Sequence, residues 1–191
     1  MIKKIIVGGL IGAVIVFIVS SIWHVATGLG EVGVKTLPGN GAIEAAMRSS
    51  ITEPGLYLFP GMADQKGLSK EQRADAQAKY MTQYAQGPTG ILVYTPGGTP
   101  LEFGKLLANQ FIFNVVAALL IAWILAIVVR ATTFRERALI VLLIGIAAGV
   151  IYALPQWNWY NFPMDYTIAA MASWVISWGI AGLGMAAIIK P

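Results

Sequence analysis

Hydrophobic positions along the chain gather into four long blocks, separated by one long polar stretch and two short connections. The clearest block is FIFNVVAALLIAWILAIVV, residues 111–129, closed by Arg130. It matches the thickness of a bilayer core and carries no charge, so it predicts a membrane-spanning helix. The full pattern predicts four such helices over 1–24, 106–130, 138–154 and 164–191. The first starts with Lys3-Lys4 and stays apolar to Ile22. We read it as an uncleaved signal anchor, because its apolar core is long and no clean A-x-A site follows. At a rise of about 1.5 Å per residue, His24 lies about 30 Å from Lys4. The third block is short, and Pro155 is expected to end it. Residues 131–137 then form a basic turn, and 155–163 an aromatic, uncharged loop suited to a membrane interface.

Residues 25–105 differ in kind: they are polar and rich in Gly and Pro. A stretch this long predicts a fold of its own. Asn40 is a candidate N-cap for a helix ending near Ser50. Ser69-Lys-Glu-Gln72 is a capping-box pattern for a helix to about Gln86. Ala74, Ala78, Met81 and Ala85 recur at helical spacing and are expected to face a core. Residues 56–59 and 91–94 read as two short strands, bounded by Pro-Gly turns and expected to pair. The fold class is therefore a mostly α membrane protein, four transmembrane helices with a small α+β domain between the first and second.

Composition agrees. Hydrophobic residues make up 57% and charged residues 12% of the chain, too apolar for a soluble domain of this size. The net charge of +4 is not a nucleic-acid footprint, because the seven cations and seven anions between Glu31 and Lys105 cancel. The surplus sits at helix ends, in Lys3, Lys4, Arg130, Arg135, Arg137 and Lys190. With four spans all of these fall on one side, which the positive-inside rule makes the cytoplasm. Both termini are then cytoplasmic and 25–105 lies outside, as expected in a bacterial cytoplasmic membrane.

With no cysteine and a single histidine, the chain has no disulfide, no thiolate metal site and no multi-histidine site. No catalytic constellation emerges. Glu53, Asp64 and Glu102 offer an acid/base pair only in the sense that any scattered acids do. The four apolar cores contain no charged residue, unlike ion-coupled carriers and pumps. They do contain uncharged polar groups at matching depth. Counted from the basic ends, Ser20, Asn114, Tyr152 and Ser173 all rise about 22–26 Å. Two readings of this layer stand. One is hydrogen-bonding glue between helices. The other is a polar pocket holding a lipid headgroup or small ligand. His24 is the one residue that can ligate a haem or pigment, but it lacks a supporting ligand, so an interfacial hydrogen-bonding role is the expectation and no cofactor beyond a bound lipid is expected. Gly8/Gly12 and Gly145/Gly149 form two G-x-x-x-G pairs, which let helices approach closely.

The order of parts resembles the claudin-like tetraspan plan, with four helices, cytoplasmic termini and a strand-bearing first outer loop. Trp23 and Gly28-Leu29 correspond to part of that family's first-loop signature, but Gly30 replaces its second tryptophan and its two cysteines are missing. PGLYLFPG and GPTGILVYTPGG also resemble segments of small bacterial four-helix membrane proteins. The first functional expectation is a non-enzymatic protein acting by contact, as an accessory subunit of a membrane complex or a small homo-oligomer. Its partners are then membrane lipids and other membrane subunits or itself. The alternative is a lipid- or small-ligand-binding protein using the polar layer. A third is an outer-face enzyme using the three acids.

Overall fold

A computed structural model describes residues 1–39, 41–62, 64–98 and 100–191. In chain order the elements are α1 (Ile2–Ser21), a π turn (Ile22–Ala26), a 3-10 turn (Leu29–Glu31), α2 (Ala42–Ser50), β1 (Gly55–Phe59), α3 (Lys70–Gln86), β2 (Gly90–Tyr94), α4 (Phe103–Val128), α5 (Phe134–Tyr160) and α6 (Met164–Ile188). They divide into two compact units, Met1–Lys35 with Leu101–Pro191, and Thr36–Pro100.

The first unit is helical. Four of its helices are long and apolar enough to cross a membrane, α1 with its π turn, α4, α5 and α6. Their outward faces are apolar as well: Leu10, Ile18, Leu120, Ile127, Leu143 and Ile180 are all exposed. Such surfaces suit lipid and not water.

The third helix departs from expectation at both ends. It starts at Phe134, inside the expected basic turn, because Thr133 and Glu136 form a capping box. The Glu136 N–H donates to Thr133 Oγ1 at 3.3 Å, and the Thr133 N–H donates to Glu136 Oε2 at 2.6 Å. Nor does the helix end at Pro155, which lies within it. Proline removes one N–H donor, but in apolar helices neighbouring groups take up the freed carbonyls. The carbonyl that Pro155 leaves without its helical donor is that of Ile151; next to it, Gln156 Nε2 donates to the Tyr152 carbonyl at 3.0 Å. The helix stops at Asn161, which adopts the left-handed conformation (φ 54). Most of the expected aromatic loop is therefore its last turns.

Packing in this unit centres on α6. It contacts α5 along its length and α1 along one side; α4 packs on α1, while α4 and α5 touch little. Between helices surrounded by lipid the hydrophobic force is absent, and close backbone approach takes its place. The glycines supply it. A Cβ on Gly12 would lie 2.6 Å from Met185 Sδ, and one on Gly8 would lie 2.7 Å from Ile189. Across the other side of α6, a Cβ on Gly145 would lie 2.6 Å from Trp178 Cβ, and one on Gly149 would lie 3.3 Å from Trp174 Cβ. Both G-x-x-x-G pairs thus face α6 of the same chain. Around these seams sits the core of Ala13, Ala118, Ala122, Leu125, Val129, Val141, Ala181, Met185 and Ile189.

The basic ends of the helices come together. Lys4 Nζ donates to the Lys190 carbonyl at 2.6 Å. Arg137 is 4% exposed; it donates to the Thr132 carbonyl at 2.6 Å and to the Ala186 carbonyl at 3.4 Å. One guanidinium thereby ties the connection between α4 and α5 to the carbonyl end of α6, where the helix dipole is negative.

The second unit is a β1–β2 antiparallel pair with α2 and α3. Leu56 pairs with Val93 and Leu58 with Ile91. The Ser69–Gln72 capping box forms as its pattern suggests, with Gln72 N–H donating to Ser69 Oγ at 3.2 Å. The proposed cap Asn40 lies outside the described residues. The expectation that Ala74, Ala78, Met81 and Ala85 face a core is not met: all four are exposed. The more covered stripe of α3 carries Ala76 and Tyr80, beside Met62 and Leu68. Two strands and two short helices do not supply enough surface to cover both faces of α3.

Gly145→Ala should destabilise the helical unit by about 1–3 kcal/mol, because overpacking outweighs the gain of about 1 kcal/mol from replacing a helical glycine. Gly104→Ala, where an added Cβ meets nothing within 4 Å, should be neutral or slightly stabilising. Thermal unfolding of the two purified variants in detergent compares them directly; equal melting temperatures would refute the glycine-seam account.

Candidate functional site

The core fills the half of the helical unit near the basic ends. Beyond it, toward the other ends of α1 and α6, the helices enclose a cavity of about 840 Å³. Its floor includes Val16, Ala117 and Trp178. Its walls come from α1 and the π turn, α4 and α6, with Tyr152 reaching in from α5. Leu29, Gly30 and Val32 contribute a further side. Gly33, at φ 77, lets the chain turn tightly there; a Cβ at this position would meet Tyr166 at 2.7 Å. Because α4 and α5 barely pack together, helix contact does not seal the side between them.

The structure brings Ser20, His24, Asn114, Tyr152 and Ser173 to this one cavity. Their conditions differ. Ser20 is satisfied locally, donating to the Phe17 carbonyl at 3.1 Å. His24 is exposed, and its Nδ1 lies 2.8 Å from the Ser20 carbonyl. A carbonyl only accepts, so Nδ1 carries the proton and, in the neutral ring, Nε2 is an acceptor. Gly30 packs against the imidazole, and the π turn around it is closed by Thr27 N–H donating to the Ile22 carbonyl at 3.2 Å. Tyr152 stacks obliquely near Trp174, with ring centres 6.0 Å apart.

Asn114 carries the most information. It is 7% exposed, and its Oδ1 accepts from Gln110 Nε2 at 3.1 Å. Its Nδ2 is buried without a partner. Ser177, at 3% exposure, lines the same cavity and its hydroxyl is likewise without a partner. A buried donor left unmade costs about 1–3 kcal/mol. Interhelical hydrogen bonding therefore does not account for these two groups, since Asn114 bonds only within its own helix and the Ser177 hydroxyl has no partner.

Gln110, Tyr166 and Ser177 belong to the site and are absent from the sequence reading. Gln110 and Ser177 each lie four residues from a residue that reading singles out, Asn114 and Ser173, so one helical turn of search on the same face finds them. The three acids behave otherwise. Asp64 Oδ1 accepts from the Lys66 N–H at 3.0 Å, and Glu102 pairs with Lys105 at 3.7 Å. Glu53 contributes its backbone carbonyl to the Tyr57 hydroxyl at 2.9 Å.

No protein-family model, no curated protein and no solved structure matches the chain.

Proposed function

We propose that the chain is an integral membrane protein that binds a lipid or a small amphiphile in the cavity around Asn114. The observation that carries this reading is the pair of buried polar groups, Asn114 Nδ2 and Ser177 Oγ, without partners on the wall of one large cavity. A ligand that hydrogen-bonds them recovers the desolvation cost they otherwise carry. The chemistry is binding or transport, not catalysis. The basic helix ends support a reading in which both termini are cytoplasmic in a bacterial cell and residues 25–105 lie outside.

A different observation favours action by protein contact. In Thr36–Pro100 no described residue is buried, and Leu56, Leu58 and Val93 share an exposed sheet face at 66%, 57% and 77% exposure. A two-stranded sheet is marginal alone, so a partner subunit or a second copy that covers this face would stabilise it. The two G-x-x-x-G pairs, in contrast, no longer support self-association, because α6 occupies both.

Gentle extraction followed by native mass spectrometry tests the first reading. The wild-type chain should retain a discrete ligand mass, and Asn114→Leu should lose it while unfolding at the same temperature or higher. If the variant merely unfolds earlier and keeps the mass, the cavity reading fails. For the contact reading, cross-linking in native membranes should give a defined larger species that Val93→Asp abolishes. Monomer alone in both proteins would count against it.

A further inference from the structure

We infer that the cavity's ligand is an uncharged amphiphile whose head presents a carbonyl oxygen to Asn114 and Ser177. This rests on the cavity reading above and names the ligand's chemistry.

The first step concerns charge. Among the described residues lining the cavity there is no Asp, Glu, Lys or Arg. A phosphate or ammonium head placed there would leave water without a counter-charge, and an unpaired ion in such surroundings is strongly disfavoured. The buried cation of this unit, Arg137, is engaged by carbonyls at the basic ends and does not line the cavity. A neutral head suffers no such penalty.

The second step concerns polarity. The Gln110 hydrogen bond fixes the Asn114 amide by holding Oδ1, so Nδ2 is the group left to offer. Nδ2 only donates, and its partner must therefore accept. Ser177 can donate alongside it. A carbonyl oxygen has two lone pairs and can take both bonds, whereas a hydrocarbon can take neither. His24 follows Ser20 on the π turn, and in the neutral ring its Nε2 is an acceptor, suited to a hydroxyl on the same head.

The third step concerns shape. The remaining walls are apolar and aromatic, with Phe17, Phe113, Trp174 and Trp178 among them. A volume of about 840 Å³ holds a drug-sized head and the start of one chain, not a whole two-chain lipid. The unsealed side between α4 and α5 leaves room for a tail to reach the surrounding lipid. Two sources share this chemistry: the ester carbonyl of an acylglycerol and the ring carbonyl of an isoprenoid quinone.

The test uses the full chain, delipidated in detergent and titrated with three probes. They are dioctanoylglycerol, a decyl-substituted benzoquinone and, as a charged control, dioctanoyl phosphatidylglycerol. At least one neutral probe should bind saturably at one per chain, about tenfold more tightly than the control, and Asn114→Leu and Ser177→Ala should each weaken it about tenfold. Preference for the glycerol identifies an ester ligand and preference for the quinone a ring carbonyl; either supports the inference. Ser177→Ala keeps the test decisive should Asn114→Leu fold poorly. Equal binding of the charged control, or unchanged affinity in the variants, overturns it. If no probe binds while the native protein retains an anionic lipid, the inference falls and the cavity reading survives. If neither a probe nor a native ligand binds, both fall.

Discussion

The close approach of α1 and α5 to the two sides of α6 is the constraint on which the helical unit depends. Gly8 and Gly12 meet Ile189 and Met185; Gly145 and Gly149 meet Trp178 and Trp174. Where hydrophobic burial gives no net drive between helices, such contacts are what dispersion and shape have to work with. They set α6 in the middle and leave α4 to pack on α1, with Gly9 against Leu119 and Phe17 edge-on to Phe111 at 5.5 Å. A row of this kind does not close on itself. α4 and α5 therefore touch little, and the cavity lies among α1, α4 and α6, with Tyr152 reaching in from α5.

The two ends of the unit differ. At the basic end cations reach across to main-chain carbonyls, although Arg137 Nε is itself buried without a partner. Lys4 reaches the Lys190 carbonyl, and Arg137 joins the α4–α5 connection to the carbonyl end of α6. At the cavity end, polar groups are buried and left open, and the turn that carries His24 is a π turn and not an α-helix. Wide turns of this kind recur at functional sites. The donors left open at the cavity end carry a cost that an occupied site would remove.

Much of this was legible in the residues. Apolar runs of bilayer length located four helices, and counting helix rise from the basic ends placed Ser20, Asn114, Tyr152 and Ser173 at one depth, where the structure puts them around one cavity. Depth, however, does not say which faces meet. Ser177 and Gln110 escaped notice for that reason. The misread ends of α5 have a local cause. Thr133-x-x-Glu136 is a capping box that a basic turn obscured, and Pro155 looked like a stop because a soluble helix would break there. The failure at α3 is of another sort. Ala74, Ala78, Met81 and Ala85 have helical spacing, but the unit lacks a second layer to receive them. Periodicity shows which face is apolar, and only topology shows whether anything covers it.

The central claim is that the cavity holds a specific ligand in the membrane. Photo-crosslinking in intact cells tests it most directly, with a benzophenone amino acid in place of Ser173 on the cavity wall, or in place of Ile127, which is 72% exposed on the outer face of α4. The account predicts one discrete adduct from position 173 and a spread of bulk lipids from position 127. The same spread from both positions, or no adduct from position 173, would contradict it.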